Sequence, residues 1–105
     1  MIEKYRVVTL CGSTKFKEDF IEAEEMLTLC GAIVLSVGLF GHADNHNLTS
    51  DTKEMLDDMH KRKIDMSDGI FVINKGGYIG ESTKSEIAYA KETGKRIEYM
   101  YNMGN

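Results

Sequence analysis

The sequence predicts an α/β fold in which a parallel sheet is covered by helices on both faces. Three observations carry that expectation. Apolar, β-branched runs of five to seven residues alternate with amphipathic helical segments in a βαβαβαβ order. The strand runs are continuously apolar, as expected for strands buried on both faces. Glycine-bearing turns stand between strands and helices at residues 12–15 and 76–82. Right-handed crossovers then favour a flavodoxin/Rossmann-like three-layer sandwich of about four strands in the order 2-1-3-4.

The elements follow in turn. Residues 5–11 (YRVVTLC) read as the first buried strand, broken by Gly12-Ser13-Thr14. Phe16, Phe20, Ala23, Leu27 and Cys30 recur at three- and four-residue spacing and predict one apolar helix face. Glu18, Asp19, Glu22 and Glu25 are expected opposite it, and Gly31 as the C-terminal cap. Residues 32–37 (AIVLSV) read as the second strand. Residues 38–50 form a long polar connection rich in His and Asn, the kind of loop that often carries function.

Asp51 and Glu54 have capping-box spacing for a second helix, whose apolar side is expected from Met55, Leu56, Met59, Ile64 and Met66. Asp68-Gly69 ends it, and Ile70-Phe71-Val72-Ile73 is the third strand. Ser82 or Thr83 opens a third helix that Gly94 closes. Residues 96–100 are the fourth strand, and residues 101–105 a tail.

With 105 residues the chain is expected to be a single domain, residues 1–105. It is 42% hydrophobic and 29% charged, which argues against disorder. The net charge of −4, without a basic cluster, disfavours polymeric nucleic acid and anionic membranes as partners. No apolar run approaches membrane-spanning length. Met1 to Lys4 lead straight into a strand-like segment, so no signal peptide is expected. Cys11 and Cys30 lack CxxC spacing and read as buried, reduced thiols, pointing to a cytoplasmic protein.

Candidate site residues each have a plain alternative. Gly12, Ser13, Thr14 and Lys15 suit a phosphate cradle, or an ordinary βα turn with a hydroxyl N-cap. Gly80 and Ser82 precede a helix whose start favours anions. Glu86 fits either a nucleophile or general base, or the glutamate of a capping box begun at Thr83. Asp57 and Asp58 read as surface charges, His60 among Lys61, Arg62 and Lys63 as part of a solvated face, and Asp68 as a helix end. His42-Ala43-Asp44-Asn45-His46 lacks a third fixed ligand, so no metal and no cofactor are expected.

Taken together, these segments resemble the nucleoside 2-deoxyribosyltransferase-like superfamily, which includes nucleoside deoxyribosyltransferases and 2′-deoxynucleoside 5′-monophosphate N-glycosidases. Leu10-Cys11-Gly12-Ser13 is similar to the N-glycosidases' first strand and phosphate loop. Ser85-Glu86-Ile87-Ala88-Tyr89-Ala90 with Gly94-Lys95 is similar to the segment bearing the catalytic glutamate. Residues 64–68, followed by an apolar strand, are similar to the segment before the family's third strand. The resemblance implies cleavage or transfer at the N-glycosidic bond of a (deoxy)nucleoside or its 5′-monophosphate, with Glu86 as nucleophile. It implies a 5′ group held by Gly12, Ser13, Gly80 and Ser82, and a homo-oligomer, a dimer. Asp57, His60 and Asp68 are the candidates to protonate the leaving base. Thr9 stands where the family carries tyrosine, and His60 where it carries aspartate. A nucleotide-sensing module without catalysis is the alternative.

Overall fold

The computed structural model describes residues 4–102; the expected lead at residues 1–3 and the end of the tail, residues 103–105, lie outside the described residues. Four parallel strands form one sheet, β1 (Val7–Gly12), β2 (Ile33–Leu35), β3 (Gly69–Ile73) and β4 (Arg96–Tyr99), in the order β2-β1-β3-β4. The helices are α1 (Lys17–Leu29), α2 (Ser50–Asp65) and α3 (Glu81–Glu92), with a short 3₁₀ turn at Lys75–Gly77. Among the described residues no helix is long and apolar enough to cross a membrane.

Strand alternation divides the core in two. Val8, Leu10, Phe71 and Ile73 pack with Phe20, Ala23 and Leu27 of α1 on one face. Cys11, Ile70 and Val72 pack with Ile64 of α2 and with Ile87 and Ala90 of α3 on the other. One crossover hand explains the split. The step from β1 to β2 runs one way along the sheet and the later steps run the other way, so their helices lie on opposite faces. Register places Leu10 beside Phe71 and Cys11 beside Val72, which makes β1 and β3 the centre of the sheet.

Several local expectations are corrected. Cys11 is buried, but Cys30 is exposed because it follows the last turn of α1. Gly31, at φ 93°, does take the left-handed position after that helix. Asp19, expected outside, is buried and accepts from Tyr101 Oη at 2.6 Å and pairs with Lys75 at 3.3 Å. Tyr101 therefore does not begin a loose tail; its backbone also exchanges two 3.0 Å bonds with the Asn74 side chain.

Met55, Met59 and Met66 are exposed, because α2 turns Leu56, His60 and Ile64 toward the sheet instead. The cap of α2 is Thr49, whose hydroxyl accepts from Thr52 N at 3.1 Å, so Asp51 and Glu54 are not the cap pair. Likewise α3 starts at Glu81 behind Gly80, one or two residues before the expected Ser82 or Thr83.

Candidate functional site

The order of strands reverses between β1 and β3, and the loops that leave their carboxyl ends diverge there. Open α/β sheets bind ligands at this point. A cavity of about 790 Å³ lies at it, within the size range of small-molecule sites. Gly12, Ser13 and Thr14 form one wall, and Tyr78, Gly80, Glu81, Ser82, Thr83 and Glu86 another. Lys53, Leu56, Asp57 and His60 of α2, with His42, Asn45, His46 and Leu48 of the long connection, complete it.

The first wall needs glycine. A Cβ on Gly12 would lie 2.9 Å from the Ile73 carbonyl oxygen, and its φ of 157° disfavours a side chain. The turn then differs from a simple capped helix start. α1 begins only at Lys17, behind Phe16, with no side-chain cap. Ser13 Oγ accepts from Lys15 N at 3.3 Å, and Thr14 Oγ1 accepts from His42 N at 3.1 Å, tying this turn to the long connection. Lys15 is not part of the cavity wall; its Nζ sits 3.8 Å from the centre of the Tyr78 ring.

The second wall is the start of α3. Gly80 offers no side-chain cap, so the first-turn N–H groups and the positive end of the helix dipole are left for a ligand. Glu86 is the sixth residue of this helix, in its second turn and not its first. The capping-box alternative fails on position: Thr83 is buried within the helix and cannot be its N-cap. The Glu86 carboxyl meets Cys11 and His60 instead.

These three side chains come from three elements. His60 Nε2–H donates to the Leu10 carbonyl at 2.9 Å, and the same nitrogen lies 3.6 Å from Cys11 Sγ and 3.9 Å from Glu86 Oε1. All three are buried. Burial, with the positive charge of Lys63, lowers the His60 pKa to about 4, against the Leu10 bond and Asp57. Burial raises Glu86 to about 7; the Cys11 thiol, which donates to its carboxylate, and Lys61 pull it down, and Asp57 pushes it up. Burial, then the charge of Glu86, holds the Cys11 thiol well above its usual value. The site therefore offers a carboxyl group that titrates near neutrality beside a neutral imidazole.

The chain matches no family model and no curated protein.

The structure brings together Gly12, Ser13, Thr14, Gly80, Ser82, Asp57, His60 and Glu86 around one cavity. It leaves out Lys15 and Asp68. Asp68 lies at the opposite end of the sheet, where Oδ2 accepts from Val7 N at 2.7 Å and its own N–H donates to the Val7 carbonyl at 2.8 Å. Thr9 also lies away from the cavity. Its hydroxyl faces α2 and bonds Ser67 Oγ and the Lys63 carbonyl. Asp44 of the His-rich connection is paired with Lys17 at 2.9 Å, while His42 and His46 stand exposed on the rim.

The sequence reading missed the meeting of Cys11, His60 and Glu86. Cys11 read as core filling, and the basic neighbours of His60 suggested a solvated face. The available signal was the four-residue spacing of Leu56, His60 and Ile64, which places the imidazole on the sheet-facing stripe.

Proposed function

We propose that this chain binds a nucleoside or nucleoside 5′-monophosphate in the cavity between β1 and β3 and acts on its N-glycosidic bond through Glu86. The observation that carries the reading is the Glu86 carboxyl, which lines the same cavity as the Gly12–Thr14 turn and stands in the second turn of α3, behind its uncapped start. Those two backbone features suit the 5′ phosphate or hydroxyl. The resemblance to the nucleoside 2-deoxyribosyltransferase-like superfamily supplies the chemistry.

In that chemistry the Glu86 carboxylate attacks C1′ as the bond to the base breaks, giving a glycosyl ester that water hydrolyses or a second base accepts. His60 is a poor source for the leaving base's proton, since it is neutral near pH 7 and its Nε2–H is given to Leu10. Asp57, which lines the cavity, is the remaining candidate, relaying a proton taken from solvent to the leaving base.

A second reading is supported by the raised Glu86 pKa. A carboxyl that holds its proton up to about pH 7 is a weak nucleophile, which favours a module that binds nucleotide without turnover. Incubation with a panel of deoxynucleosides and their monophosphates, scored for free base by chromatography, separates the two. Turnover predicts base release that Glu86→Gln reduces at least 10³-fold, on the order expected for loss of a nucleophile. Binding without release supports the sensing module, and release that survives Glu86→Gln removes Glu86 as nucleophile.

A further inference from the structure

Cys11, His60 and Glu86 place a sulfur, an imidazole nitrogen and a carboxylate oxygen within 4.8 Å of one another, and among the described residues they are the one such group of three. The residues are remote in sequence and arrive from β1, α2 and α3. We infer that they form a binding site for a divalent ion of the zinc type, with the fourth coordination position open to the cavity.

The donor set and spacing carry this. Mixed sulfur, nitrogen and oxygen ligands suit zinc, and three protein ligands with one open position are its usual non-structural arrangement. Zinc–sulfur and zinc–nitrogen bonds at a tetrahedral angle separate those atoms by about 3.6 Å. Cys11 Sγ and His60 Nε2 stand 3.6 Å apart. The corresponding nitrogen–oxygen separation is about 3.4 Å. His60 Nε2 and Glu86 Oε1 stand at 3.9 Å, so the carboxyl closes on the ion by a small rotation.

Ligation exchanges protons in a defined way. Cys11 loses its thiol proton to solvent, as does Glu86 when it is protonated. The His60 proton leaves Nε2, with its bond to Leu10, and the neutral ring carries its proton on Nδ1. Asp57, one turn earlier on α2, is the carboxylate whose charge favours a proton on that ring. His60 and Glu86 line the cavity, which gives the ion its entry path. Because the ion occupies the Glu86 carboxylate, the loaded protein is blocked as a glycosidase. The site itself does not depend on that activity.

The test uses chelator-treated protein titrated with cobalt(II) and read by absorption. The expected result is a thiolate-to-cobalt charge-transfer band with the strong visible bands of tetrahedral cobalt, saturating at one ion per chain and displaced by zinc. The Cys30→Ser protein carries Cys11 as its remaining thiol, so it is expected to keep the charge-transfer band, and this readout needs no change in the core. His60→Gln is expected to weaken cobalt binding at least tenfold, in line with loss of a ligand. Absence of the band in the parent protein, its loss in Cys30→Ser, or its survival in Cys11→Ser overturns the proposal. Base release, present or absent, does not alter these readings.

Discussion

At the scale of single residues, His60 and Glu86 make opposite demands on pH. The native Glu86 keeps its proton up to about 7, whereas in the unfolded chain it ionises above 4.5, so its contribution falls as pH rises between those values. The unfolded His60 gains a proton below 6.5, whereas the native ring does so only near 4, so its contribution falls as pH drops through that window. From about 4.5 to 6.5 the two slopes cancel. Urea unfolding of chelator-treated protein is therefore expected to show a flat contribution from the pair across this range. Glu86→Gln leaves the His60 slope alone and is expected to lose about 2–3 kcal/mol of stability between pH 6.5 and 4.5. A variant whose stability stays flat there would show that His60 is not held neutral by burial. None of this was legible in the sequence, where His60 lies among cationic neighbours and only the helix phase turns it inward.

At the scale of elements, helix starts decide both stability and binding. Thr49 caps α2 through Thr52 N, so Thr49→Ala is expected to cost about 1 kcal/mol in urea unfolding while leaving the cavity unchanged. The start of α3 is different, since Gly80 leaves it uncapped beside the cavity. Gly12→Ala sets a methyl against the Ile73 carbonyl and is expected to cost roughly 1–3 kcal/mol and to weaken nucleotide binding, measured by thermal shift with and without 5′-monophosphate. The strands and helices were readable because their apolar runs and periods are strong. The ends were less so. Asp51 and Glu54 have the spacing of a cap pair, yet Thr49 takes the position because its extended backbone aims the hydroxyl at Thr52. The methionines misled for a related reason: Met55 and Met59 flank the Leu56–His60–Ile64 stripe and are apolar without being inward.

At the scale of the whole molecule, the sheet order and its two-faced core followed from continuous apolar strands and one crossover hand. Contacts between distant segments did not, because no local pattern announces them. Tyr101 is the clearest case. Its hydroxyl reaches Asp19 across 82 positions of sequence and joins the segment after β4 to α1. Tyr101→Phe leaves the buried Asp19 with Lys75 and is expected to cost about 1–3 kcal/mol in thermal unfolding, the range for a buried acceptor that loses a donor.

The alternation along β1 has a consequence for how such a chain can change over time. Val8 and Leu10 serve one core, while Thr9 and Cys11 face the other, where the candidate site is built. Substitutions on the α1 side thus alter robustness with little effect on chemistry, and substitutions on the other side do the reverse. The two faces form separate compartments for variation, joined at the Leu10 peptide, whose side chain belongs to one and whose carbonyl holds the imidazole of the other. A one-residue insertion within β1 would exchange the two sets, so the strand can drift in composition far more readily than in length.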